Sequence, residues 1–194
     1  MTPQEIEAIL TGKHVKLYPY VRGHFPPEAL YSLWHLMRSQ GALSKIFYGP
    51  AYPADSPPYL MRGDLIEFVK TFEPVEANQR LLLIVQSMTN PEEIAGMVWF
   101  DDLIANHRAA GSVFYRRKFW GEPAREATRL AMAWAFAVLN VVACWAYTPW
   151  KTGRRHAEAV GMKCVATLPH YILIGDAPTD LSVYRLTREE FQAR

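Results

Sequence analysis

Along this chain the spacing of apolar positions switches repeatedly between alternation and helical periodicity, which divides it into strands and helices. Met1–Thr11 carries Ile6, Ile9 and Leu10 behind Pro3 and predicts a short helix stopped at Gly12. His14–Val21 alternates and predicts the first strand. Pro26 and Pro27 open a helix over Glu28–Arg38, where Leu30, Leu33, Trp34 and Met37 share one face. Residues 41–59 are rich in Gly, Pro and Ser and read as loop, with Tyr48, Tyr52 and Tyr59 along it. Met61–Phe72 returns to helical spacing, with Leu65, Phe68 and Val69 inward. Arg80–Ser87 and Ile94–Asp101 then form a hairpin around the turn pair Asn90-Pro91.

The stretch Ala109–Met162 organises the rest. After the connection Asp101–Arg108 it predicts a strand over Ala109–Lys118, a turn at Trp120–Pro123 and a helix over Glu122–Leu139. Ala127, Leu130, Ala131, Trp134 and Val138 form that helix's inward face, Glu122 and Glu126 suit its N-terminal dipole, and Asn140 ends it. Val141–Tyr147 is a continuous apolar run of the kind buried on both faces. Lys151–Val160 is a short helix closed by Gly161 in the left-handed conformation. Strand–turn–helix–strand is a βαβ unit, and the start of its helix is where an anionic group would sit. A final hairpin, Lys163–Ile174 with Leu181–Leu186, turns at residues 175–178. The fold expected is mixed α+β, a mostly antiparallel twisted sheet of about seven strands and about four helices in one domain over residues 1–194.

Composition narrows the function classes. Half of the 194 residues are hydrophobic, ample for a packed core. A net charge of +2 is too weak to argue for nucleic acid. Cys144 and Cys164 lie in apolar strand-like runs and read as buried, reduced thiols; a cytoplasmic protein without disulfide or metal site is expected. The uncharged run Leu130–Trp150 joins a helix pattern to a strand and contains Asn140 and Pro149, so it reads as core and not as a membrane span.

Four segments, in order, carry a family resemblance: IAGMVWFDDLIANHRAAGSVFY, FWGEPAREATRLAMAWAF, RRHAEAVGMKCVATLP and DLSVYRLTREEF. They resemble the central strands, cofactor loop and helix, last helix and closing strand of the GNAT superfamily of acetyl-CoA-dependent N-acyltransferases. The likeness runs from Val15 to Phe191 and is nearest to the branch of ribosomal-protein and N-terminal amine acetyltransferases. The chain is also similar to GNAT-like proteins of tailed bacteriophages. The resemblance implies acetyl-CoA as cofactor and a small-molecule or peptide amine as acceptor, and it leaves a homodimer open.

It also assigns residues. Val113, Phe114 and Tyr115 would line the pantetheine arm by their backbone, and Lys118, Gly121, Glu122, Ala124 and Arg125 would surround the pyrophosphate; Arg116, Arg117 and Lys118 cluster there, either serving the 3′-phosphate or forming a plain solvated strand end. Pro123 departs from the family loop, because it has no N–H to donate. Trp150 stands where members commonly carry Asn, and Ala157 where many carry a general-acid Tyr. Trp150 and Arg154 are still expected at the cofactor, and Tyr147 and His156 are the nearby substitutes for the acid. Asp101 and Asp102, with His107 behind them, are the candidates to receive the amine's proton. Two other readings stay open: a GNAT fold that has lost acetyl transfer and works as a binding or structural module, favoured by Pro123, Trp150 and Ala157, and an enzyme acting on a nucleic-acid base through Arg116–Lys118, Lys151, Arg154 and Arg155.

Overall fold

The computed structural model describes residues 1–20, 27–42, 81–104, 106–174 and 177–194. The expected loop at 41–59 beyond Ala42 and the helix at Met61–Phe72 lie outside them. The elements are α1 (Pro3–Leu10), β1 (Val15–Pro19), α2 (Pro27–Ser39), β2 (Leu81–Ser87), β3 (Ile94–Ile104), β4 (Arg108–Tyr115), a 3-10 turn (Arg117–Phe119), α3 (Glu122–Val138), β5 (Ala143–Thr148), α4 (Lys151–Ala159), β6 (Lys163–Ile174), β7 (Ala177–Thr187) and α5 (Arg188–Gln192). The seven described strands form one sheet in the order β1-β2-β3-β4-β5-β7-β6. Every neighbouring pair is antiparallel except β4 and β5, which α3 joins as a crossover. This is the mixed α+β sheet with a central βαβ unit that the periodicity predicts.

Alternation in the strands divides the core between the two faces. Leu83, Val85, Val98, Phe100 and Leu186 pack with α3, while Leu82, Ile84, Met97, Trp99 and Phe114 pack with Leu33, Trp34 and Met37 of α2. The buried face of α3 is wider than its spacing predicts: Ala124, Thr128, Met132, Ala135 and Phe136 are buried as well. Val138, expected inside, is 37% exposed because it closes the last turn, and Leu130 is half-buried. α5 is absent from the expected elements although Thr187 and Glu190 form a capping box, each side chain taking the other residue's backbone N–H. Lys163 and the Thr187 amide hold the Glu190 carboxyl down at about 2. Cys164 is exposed on the edge strand β6, contrary to expectation, whereas Cys144 is buried. No helix among the described residues is long and apolar enough to cross a membrane.

Glu126 holds α3 to the start of β1. Its carboxylate accepts the backbone N–H groups of Lys13 at 2.8 Å, His14 at 2.7 Å and Val15 at 3.2 Å. Gly12 makes this contact possible, since a Cβ there would lie 2.6 Å from the Glu126 carboxyl carbon. Its role is therefore close approach as well as helix termination. Glu126→Gln preserves the volume and loses the charge and one acceptor, and is expected to cost about 1–3 kcal/mol in urea unfolding. An unchanged midpoint and slope would show that the charge and the second acceptor contribute nothing.

Candidate active site

The parallel pairing of β4 with β5 is short. It covers Arg108 with Ala143, Ala109 with Cys144 and Ala110 with Trp145. Beyond that point β4 continues to Tyr115 held only by β3, and β5 continues to Thr148 held only by β7. The two strands splay, and their facing edges present backbone N–H and C=O groups to the gap. A cavity of about 740 Å³ fills it, bordered by Gly111–Tyr115 on one side and Ala146–Thr148 on the other. Such a volume lies within the range of small-molecule sites. The splay also corrects the expectation that β5 is buried on both faces: Ala143 and Cys144 are buried, whereas Tyr147 is 47% exposed.

Two helices complete the wall. α3 contributes Thr128, Ala131 and Met132, and α4 contributes Thr152, Gly153, His156 and Ala157. Gly153 lets α4 sit on the end of β5, because a Cβ there would stand 2.2 Å from Thr148 Oγ1. That hydroxyl accepts the Trp150 N–H at 3.2 Å and fixes the entry to the helix.

The basic cluster after β4 divides. Arg116 reaches Glu93 at 2.5 Å and Lys118 pairs with the same carboxylate, which both hold below the usual carboxylate range, Lys118 foremost. Arg117 borders the cavity and has no carboxylate partner among the described residues. Its guanidinium lies 5.9 Å from the centre of the Trp120 ring, and Trp120 Nε1 donates to the Tyr115 carbonyl at 3.0 Å. Gly121, the N-cap of α3, has φ +92° and ψ −132°, a conformation that only glycine takes without strain. No side chain caps this helix start.

The structure brings Val113, Phe114, Tyr115, Tyr147 and Trp150 together around the cavity. Lys118, Gly121, Glu122, Ala124, Arg125 and Arg154 stand outside its lining. Glu122 is paired with Arg125 at 2.9 Å and Arg129 at 3.0 Å, and Ala124 is buried. Asp102 also lies outside the lining, ion-paired with Arg108 at 2.9 Å at a bulge where its φ is 46°. The bulge carries β3 on to Ile104, so the expected connection Asp101–Arg108 is mostly strand. Asp101 pairs through its backbone with Ala110, and its side chain lies outside what is described. Burial raises the Tyr147 phenol, with Arg108 opposing and Asp102 and Tyr171 adding to the rise, so it stays protonated near neutrality. Cys144 borders the cavity too, but it is only 2% exposed and burial pushes its thiol up to about 12.

Thr128 and Trp145 join the wall without any sequence signal that marks them. Thr128 is the centre of a buried network: Tyr115 Oη lies 2.7 Å from its Oγ1, His156 Nε2 lies 2.8 Å away, and Oγ1 donates to the Ala124 carbonyl at 3.0 Å. Burial, with Arg125 and Arg129 nearby, brings His156 down to about 4, so the imidazole is neutral at pH 7. Burial drives the Tyr115 phenol well above its ordinary value.

No family model matches the chain, and no curated protein matches it in sequence. Solved structures do match its fold. The spermidine N-acetyltransferase of Vibrio cholerae, in complex with CoA and spermine, superposes with a TM-score of 0.70 at 15% identity, over 92% of this chain and 98% of that one. The ribosomal-protein-S5-alanine acetyltransferase of Vibrio fischeri gives 0.64 at 15% identity, over 93% and 97%. A probable GNAT-family acetyltransferase of Chromobacterium violaceum gives 0.69 at 17%, over 94% and 87%. The chain therefore has the GNAT fold, as its four sequence segments imply.

Proposed function

We propose that this protein is an acetyl-CoA-dependent N-acyltransferase that passes an acetyl group directly to an amine. The observation that carries the reading is the splay after Ala110 and Trp145, which opens two strand edges onto a cavity large enough for a pantetheine arm. Its residues fit the cofactor. The edge groups of Gly111–Tyr115 meet the amides of the arm, Ala131, Met132 and Ala157 its apolar parts, and Arg117 a phosphate at the mouth. Bound acetyl-CoA supplies the activated acyl group as a thioester. Direct attack is favoured because Cys144, the thiol on the wall, is buried and fully protonated at neutral pH. Tyr147, protonated and on the cavity wall, gives a proton to the departing sulfur. Asp102 is tied to Arg108, which weakens its candidacy as the base. The acceptor is an amine of a small molecule or peptide; the neighbour crystallised with spermine supports amines as a class.

A second reading, a GNAT fold that binds without transferring, draws on Trp150 and Ala157, both on the cavity wall where the family carries Asn and Tyr. Calorimetric titration with acetyl-CoA, followed by an amine panel monitored for free thiol, separates the two. Micromolar binding with thiol release supports the transferase, and binding without release under any amine supports the second reading. Absence of heat at millimolar acetyl-CoA would sink the transferase and leave the fold as a binding or structural module.

A further inference from the structure

The network around Thr128 fixes a tautomer. Thr128 has one hydroxyl proton and two lone pairs, and three groups lie within bonding distance of its oxygen. One assignment turns all three contacts into hydrogen bonds: Tyr115 donates to Thr128, Thr128 donates to the Ala124 carbonyl, and His156 Nε2–H donates to Thr128. The proton of the neutral ring is then on Nε2, and Nδ1 carries a lone pair. His156 lines the cavity, and Nδ1 has no partner among the described residues and is not among the buried atoms sealed from solvent. His156 shares the cavity lining with the apolar Ala131, Met132, Ala157 and Val160.

We propose that His156 is a positioning residue whose Nδ1 accepts a hydrogen bond from an amide N–H of the pantetheine arm, with Thr128 holding the ring in the required tautomer. The inference rests on the acetyl-CoA reading above. It supplies an accepting group on a wall where the Trp150 indole can only donate. It also removes His156 from the proton-transfer candidates. An imidazole that titrates near 4 is neutral at pH 7 and carries no imidazolium proton to give to a departing thiolate. What a neutral, unpaired ring nitrogen does well is receive a neutral N–H.

Two conservative variants separate this role from a purely structural one. Gln reproduces the reach of Nε2 and keeps the bond to Thr128, but leaves nothing at Nδ1. Asn reproduces the position of Nδ1 and abandons Thr128. Titrations of the full-length wild type, His156→Gln and His156→Asn with coenzyme A are read alongside melting temperatures. Adenosine 3′,5′-bisphosphate, which has no arm, is the control ligand. Expected is a loss of coenzyme A affinity of about tenfold in His156→Gln with its melting temperature kept, near-wild-type affinity in His156→Asn with a lowered one, and equal nucleotide affinity in all three. Affinity that follows melting temperature, or a wild-type value in His156→Gln, overturns the proposal while the cofactor reading stands. Failure of the wild type to bind coenzyme A overturns both.

Discussion

Arg117→Glu is expected to weaken acetyl-CoA binding by roughly 10- to 100-fold while leaving the melting temperature unchanged. Its two neighbours in sequence already share Glu93, so neither has its charge to spare, and Arg117 is the cation of the cluster that borders the cavity. It sits over Trp120, whose indole is anchored to the Tyr115 carbonyl, so the guanidinium is held near the mouth at modest entropic cost. A charge-assisted bond to a phosphate contributes about 1.5–3 kcal/mol, and the introduced carboxylate adds repulsion. Since the side chain is exposed and takes no carboxylate partner among the described residues, the fold loses little by the change. S-acetylpantetheine, which has no phosphates, should bind the variant and the wild type alike. Equal weakening for both ligands would mean that Arg117 does not serve the phosphate end.

The sheet and the central βαβ unit are legible in the sequence because alternation and helical spacing are local properties, and because β4, α3 and β5 follow one another without interruption. The left-handed backbone at Gly161, with φ +94°, is legible for the same reason. The site is legible only in part. Where β4 and β5 cease to pair is decided by how each is held by its outer neighbour, and no residue type announces it; the exposure of Tyr147 follows from that decision. Arg116, Arg117 and Lys118 are indistinguishable as a run of cations until Glu93, a residue of the preceding hairpin, claims two of them. Glu126 reads as a dipole-complementing acid, yet its partners lie more than a hundred residues away. The capping box at Thr187–Glu190 is different, since its signal is in the sequence, hidden by the strand that runs into it.

Acid should destabilise this protein in a pH window set by His156. The native state resists protonation of the ring until about pH 4, first because it is buried and then because Arg125 and Arg129 are close, whereas the unfolded chain takes that proton near 6.5. Between these values the unfolded state binds more protons, so stability is full above about pH 6.5, declines as the pH falls, and levels off below about 4. The shift corresponds to about 3 kcal/mol. Glu190 follows the same rule in a lower range. Its native carboxyl titrates near 2, so its contribution is present above the ordinary carboxylate value and fades as the pH drops towards 2. The two losses are therefore separable along the pH axis. Urea unfolding of wild type and His156→Gln from pH 8 to 4 should show the wild type losing about 3 kcal/mol more than the variant between 6.5 and 4. Parallel curves through that window would mean that the imidazole is hydrated enough to protonate in place, and the Thr128 network would then no longer hold it neutral.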